Sequence, residues 1–340
     1  MNGGIFISIK MKKLLFTLVL ISTFAQAQNE LTTFIEETYA DAQKFGKAYI
    51  DPAVIGVMYN VNSGWYHSAK AKDFLEFDIA ITGNVTLIKR DRATFNMNVN
   101  DYNNIRFSDG STQKQVATIF GINNPDVVVL LDYDGETTEI QLPQGIEDES
   151  VNNAPNMMLQ GSVGVFKATE LKLRFSPKIK FDNVTKELYG FGLQHEVTRW
   201  FDTENFPLDV SALIGFTNVK GFYEAGISDE SQLEQGLDID MQTWNFAAIT
   251  STKWEKFNLY GGVSYLTATS ENKFRGLYDV LGNNELIQEL LNEFTVENKS
   301  NGISGTLGVS YEALKNLKIN VGGYLQEFPN FEVIVTYRIK

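Results

Sequence analysis

Two histidines, His67 and His195, are the only imidazoles in this 340-residue chain, and there is no cysteine. A hydrolase needs a nucleophile activated by an adjacent base. Neither histidine stands in a Ser/His/Asp spacing or an H-E-x-x-H motif. His67 closes the run Asn62-Ser63-Gly64-Trp65-Tyr66-His67, which reads as an outer loop, while His195 falls within a strand pattern. Lack of cysteine rules out disulfides, thiolate metal sites and lipid attachment at a cysteine. Asp132, Asp134 and Glu136 around Gly135 match only a fragment of a calcium loop, so an acidic β-turn is expected there. No catalytic residue, metal or cofactor is therefore expected, and the chain does not read as an enzyme.

Other charges follow a regular order. Glu170, Lys172 and Arg174 alternate with Leu171, Leu173 and Phe175. A period of two puts the first set on one face of a strand and the second on the other. Glu76, Asp78, Glu196, Asp209, Lys318, Glu332 and Arg338 fall into similar positions. In a membrane barrel such charges face the lumen, either as a salt-bridged filling or as the lining of a conduit. One apolar cluster could take a ligand. Leu286, Ile287, Leu290, Leu291 and Phe294 share a face of a short helical pattern over 284–294. That face either packs on a neighbouring loop or lines a hydrophobic groove.

Strands dominate the elements that must carry these residues. Phe331, Val333, Val335, Tyr337 and Ile339 alternate with mostly polar neighbours up to the last residue, Lys340. The same alternation recurs from Leu75 onward. Connections alternate between short ones, near Lys167, Lys253 and Lys315, and longer polar ones over 177–186, 218–236 and 268–302. Transmembrane barrels sort their turns in this way, short inside and long outside. Trp200, Phe201, Phe206, Trp254 and Phe257 cluster at the short turns, as interfacial aromatics do. The pattern over 237–252 changes parity near Trp244, which predicts a bulge.

The fold class is therefore all-β: a transmembrane antiparallel barrel. Counting residues 53–61 as its first strand predicts about twelve strands, or about fourteen if the segments around Asp134-Gly135 join the wall. Residues 30–50 read as an amphipathic helix, ended by Pro52. It is either docked on a core or a plug at the inner mouth, with Phe34, Phe45, Asp51, Pro52 and Ala53 as the plug residues.

Upstream, Met11-Lys12-Lys13, an apolar run over 14–21 and Ala25-Gln26-Ala27 form a secretory signal, cut before Gln28, with Met11 as the expected start. The expected organisation is a leader over 1–27, a helical plug over 28–52 and a barrel over 53–340. The net charge of −13 makes nucleic acid a poor partner. Mean hydropathy of −0.16 is compatible with strands that expose apolar side chains on one face only.

Residues 62–70, Phe77-Asp78-Ile79, residues 167–174 and the stretch Gly190-Phe191-Gly192 through His195 to Trp200 resemble an uncharacterised family of Gram-negative outer-membrane barrels. That resemblance covers most of the chain and implies location without activity. The N-terminal helix, Asp51-Pro52-Ala53 and the 284–294 helix are also similar in placement to parts of FadL-type fatty-acid transporters, whose hatch motif is Asn-Pro-Ala. This second resemblance implies passive uptake of a small hydrophobic molecule. A closed structural or surface-interaction barrel and a soluble periplasmic β-protein are the alternatives. The partners implied are outer-membrane lipid, a small hydrophobic ligand and, during biogenesis, the barrel-assembly and periplasmic chaperone machinery.

Overall fold

The computed structural model describes residues 39–87, 89–103, 105–133, 136–142, 153–181, 184–201, 206–224, 236–275 and 295–339. One long helix, α1 (Tyr39–Asn62), precedes β1 (Phe77–Leu87). Five short strands follow: β2 (Thr94–Asn98), β3 (Ile105–Phe107), β4 (Gln113–Ala117), β5 (Val128–Tyr133) and β6 (Glu136–Gln141). The rest is long antiparallel strand: β7 (Asn153–Phe166), β8 (Thr169–Phe181), β9 (Val184–Glu196), β10 (Leu208–Glu224) and β11 (Gly236–Thr252). Then come β12 (Phe257–Arg275), β13 (Thr295–Leu314), β14 (Leu317–Leu325) and β15 (Asn330–Arg338).

β1 and β7 to β15 close a ten-stranded barrel. The seam pairs β15 with β1, from Asp78 against Arg338 to Thr86 against Asn330. Closure leaves no free edge, which a lipid environment requires. The twelve to fourteen strands expected from sequence are corrected to ten. Residues 53–61 are helical, while the strands at 94–98, 128–133 and 136–141 build two small sheets outside the wall, β2-β4 and β3-β5-β6.

Two further expectations fail for identifiable reasons. Pro52 does not end the helix; α1 continues ten residues past it, to Asn62. The proline removes one helical N–H and costs about 3 kcal/mol in an exposed helix. Here burial of Val54, Ile55, Met58, Tyr59 and Val61 offsets that loss. There is also no bulge at Trp244, since β11 keeps an unbroken register with β10 and with β12.

The end of the barrel called inner, after the orientation expected from turn lengths, carries the short turns at 167–168, 253–256 and 315–316, with residues 197–201 and the end of β15. The opposite end, called outer, carries the small sheets β2-β4 and β3-β5-β6. Part of what sequence assigned to long outer loops is wall. β8 runs to Phe181, β10 to Glu224 and β12 to Arg275, with β13 starting at Thr295.

Outward side chains mark where the membrane sits. On β12 they are Phe257, Leu259, Val263 and Tyr265, then Thr267, Thr269, Glu271 and Lys273. On β13 the polar run Glu297, Lys299, Asn301 gives way to Ile303, Leu307, Val309 and Tyr311. Register places Tyr265 beside Ile303 and Thr267 beside Asn301, so the change falls on one line. From Phe257 to Tyr265 the strand rises about 26 Å, or about 20 Å after a tilt of ~40°, close to the ~25 Å band of such barrels. Phe191, Phe216 and Trp244 stand side by side at the upper line, with ring centroids 5.1 Å and 4.9 Å apart. Trp200, Phe201 and Trp254 are exposed at the lower one. Both sets form the aromatic girdles of a membrane-spanning barrel.

Candidate functional site: the filled lumen and its outer cap

Above the upper line the interior is apolar. α1 is buried nearly all round, between the tall wall of β10 to β13 and the cap formed by β2 to β6. Ala42, Phe45, Tyr49 and Met58 of the helix share one core with Met97, Phe107, Val116 and Val129 of the cap and with Leu237, Met241, Leu266 and Val296 of the wall. Phe328, from the short connection between β14 and β15, lies 6.3 Å from Tyr59 and closes the low side. Polar ties fix the helix at the top. Gln43 Nε2 donates to the Thr295 carbonyl at 2.9 Å, and the Asn103 N–H donates to Asp41 at 3.0 Å. Asn298 Nδ2 donates to Asp51 at 3.1 Å. Burial beside Asp41 and Asp101 pushes the Tyr102 phenol up to about 12. It therefore stays protonated beside Lys44, whose ammonium lies 5.3 Å from the ring centre.

Below that line, the lumen is crossed by an irregular stretch of turns and bends, 63–76, running from the end of α1 to the start of β1. It need not be fully extended to traverse the membrane band, since ten extended residues would already reach roughly 33 Å. The Gly64 N–H donates to Tyr324 Oη at 2.8 Å, and that hydroxyl donates to Glu332 at 2.8 Å. Trp65, fully buried, lies over Gly192 and Gly215; a Cβ on Gly215 would stand 2.6 Å from its ring. Glycine on the inward face is what gives the indole room. Arg174 stacks 3.6 Å above that indole and donates to the Val61 carbonyl at 2.8 Å and the Ser63 carbonyl at 3.2 Å. Tyr66 meets Tyr260 edge-on, 6.4 Å between ring centres.

Lower still, the contacts become ionic. Lys72 pairs with Asp78 at 2.8 Å and Glu170 at 3.4 Å, and Lys172 pairs with Glu170. The Ala69 N–H donates to Ser251 at 2.9 Å and the Ala71 N–H to Glu196 at 2.8 Å. Arg199 binds Glu196 at 3.2 Å, Asp73 at 3.0 Å and the Ala71 carbonyl at 2.7 Å. The stretch ends at the inner rim, where the Leu75 N–H donates to the Gly164 carbonyl at 2.9 Å.

Glu170, Lys172 and Arg174 thus all face the lumen and all touch this stretch or its charge cluster. Of the expected plug residues, Phe45 is buried in the outer core, Asp51 holds Asn298, and Pro52 and Ala53 continue the helix. Phe34 lies outside the described residues, as do Leu286, Ile287, Leu290, Leu291, Phe294 and the leader expected over 1–27. α1 packs in the half of the barrel nearest the cap rather than at the opposite mouth expected for a plug, because its apolar surface matches the apolar wall there. His67 is not in an outer loop: it is buried in the lumen among Asp78, Lys72, Lys172 and Glu170. His195 faces outward near the inner end, 2.9 Å from Thr169 and 2.8 Å from the Trp200 indole nitrogen. Sequence reading missed Trp65, Tyr66, Tyr260 and Tyr324. The available signal was glycine at inward positions of β9, β10, β13 and β14, which leaves space only a bulky partner fills.

Among the described residues no cluster of metal-ligating side chains occurs, and no helix is long and apolar enough to cross a membrane, which says nothing of a barrel. Fold and interior define a membrane-spanning β-barrel whose lumen its own chain occupies. The chain belongs to a family of unknown function, DUF6588, whose model matches residues 10–339. No curated protein matches it significantly. Its fold is similar to an outer-membrane channel of Pseudomonas putida F1 (8% identity, 82% of this chain and 100% of that one, TM-score 0.39). It is also similar to the translocator domain of the autotransporter NalP from Neisseria meningitidis (7%, 90% and 99%, TM-score 0.30). A third is Ail, the attachment invasion locus protein of Yersinia pestis (8%, 78% and 100%, TM-score 0.28).

Proposed function

We propose that this protein is a closed outer-membrane barrel that anchors its cap at the cell surface as a surface-interaction platform. The observation that carries the reading is the course of residues 63–76, which cross the lumen while bonded to the wall at Tyr324, Arg174, Ser251, Glu196 and Glu170. Export through the leader at 1–27, insertion by the barrel-assembly machinery with periplasmic chaperones, and residence among outer-membrane lipids belong to the same proposal. No enzymatic step is part of it.

Planar-bilayer recording of the full chain tests this. Silence from wild type, with conductance appearing in a double variant Trp65→Ala/Arg174→Ala, is the expected result. Steady conductance from wild type would refute the closed reading.

A second reading, passive uptake of a small hydrophobic molecule, is favoured by the apolar lining of the outer half, where Leu188, Val219, Leu237, Met241 and Leu266 face inward. It requires residues 63–76 to leave the lumen during transport. Fatty-acid entry into liposomes containing the protein, faster than into empty ones, supports it over the first.

A further inference from the structure

We infer that the first turns of α1 lie at the outer face of the membrane, so that this barrel holds residues 39–76 of its own chain threaded from outside to inside. Three observations place the threading. The first turns of α1 sit at the outer rim: Gln43 reaches the carbonyl of Thr295, the first residue of β13, and Asp41 accepts from Asn103 of the cap. From there the chain descends in order. Asp51 meets Asn298, Asn62 meets Thr243, Gly64 meets Tyr324, Ala69 meets Ser251, Ala71 meets Glu196, and Leu75 meets Gly164 at the inner rim. Only then does β1 start upward, at Phe77.

A consequence follows for assembly. An exported chain reaches the barrel from the inner side, so the first turns of α1 must cross the membrane band to arrive at the outer rim. The finished lumen leaves no space for that crossing. Trp65 lies in van der Waals contact with Gly192 and Gly215, and Gly302 stands against the Tyr59 ring. Threading must therefore accompany or precede closure of the β1–β15 seam.

The inference shares its barrel orientation with the proposed surface cap, and the experiment separates the two. The chain has no cysteine, so single cysteines give a clean labelling background. Ala40→Cys and Lys47→Cys probe the start of α1, Gln113→Cys the cap and Lys256→Cys an inner turn; all four positions are exposed. Cells expressing each variant are treated intact, and after lysis, with a membrane-impermeant maleimide. The expected result is labelling of positions 40, 47 and 113 in intact cells and of position 256 only after lysis. Labelling of 40 and 47 only after lysis, with 113 labelled in intact cells, overturns the threading and leaves the surface cap standing. Labelling of 256 but not 113 in intact cells reverses the barrel and overturns both. Heat-modifiable gel mobility verifies that each variant is folded.

Discussion

The outer and inner halves of this barrel solve opposite problems with the same strands. In the outer half, polar residues such as Asp240, Glu271 and Lys299 face out, while Met241, Leu266 and Val296 face in. That is the arrangement of a water-soluble protein. In the inner half, Phe246, Val263 and Val333 face out, and Glu170, Lys172, Arg174 and Glu332 face in. That is the arrangement of a protein in lipid. On β10 to β12 the backbone register does not change between them; only the solvent outside does. Each half receives the stretch of N-terminal chain that suits it: an apolar helix above, and below it an irregular, more polar segment carrying Trp65 and Tyr66.

The sharpest way to break this fit is to remove the space one half depends on. A Cβ on Gly215 would lie 2.6 Å from the Trp65 ring, and Trp65 is pinned from the other side by Arg174. Gly215→Val is expected to prevent correct assembly, seen as loss of the heat-modifiable folded band. Recovery of that band in Gly215→Val/Trp65→Ala would show that the clash, and not strand propensity, is the cause.

The two halves should then separate in their response to core truncation. Phe45 is fully buried between Tyr49, 5.9 Å away, and Phe95 of the cap, 5.8 Å away. Phe45→Ala is expected to cost about 3–5 kcal/mol. The loss should fall on the cap and α1, seen as faster proteolysis there, while the inner band keeps its heat-modifiable mobility. Arg174→Met probes the other half. It leaves the Val61 and Ser63 carbonyls without their donor, at about 1–3 kcal/mol for each unsatisfied group. Quenching of Trp65 fluorescence by a soluble quencher should rise in that variant and stay unchanged in Phe45→Ala.

The same contrast explains what could be read from sequence. The seam strand was legible because its outward residues, Phe331 to Ile339, are apolar and exposed while Glu332, Thr336 and Arg338 of its inward ones are polar. Glu170, Lys172 and Arg174 were legible for the same reason. Where one strand spans both halves, its apolar face switches sides, and β11 near Trp244 therefore mimics a bulge. Residues 53–61 of α1 were misread because a helical segment buried nearly all round has no polar stripe to give its period away, and Pro52 with the apolar run after it suggests a break and a strand. His67 was misread because a polar, glycine-containing stretch looks like a loop. Its partners come from strands up to about a hundred residues further along the chain, and no local pattern announces them.

The most direct test of the boundary uses one strand and one substitution. Val263 and Glu271 both point outward on β12, four residue pairs apart in parity, on either side of the Tyr265–Thr267 line. If the solvent changes there, an arginine at position 263 must be taken into hydrocarbon, at about 2–4 kcal/mol, and one at 271 stays in water, at about 0–1 kcal/mol. Urea unfolding of the lipid-reconstituted protein should show that ordering for Val263→Arg and Glu271→Arg. Thr267→Arg should fall between them, since a long side chain at the interface can turn its charge toward water. Equal costs at 263 and 271 would mean that both positions face the same solvent, and the division of the wall into two halves would not hold.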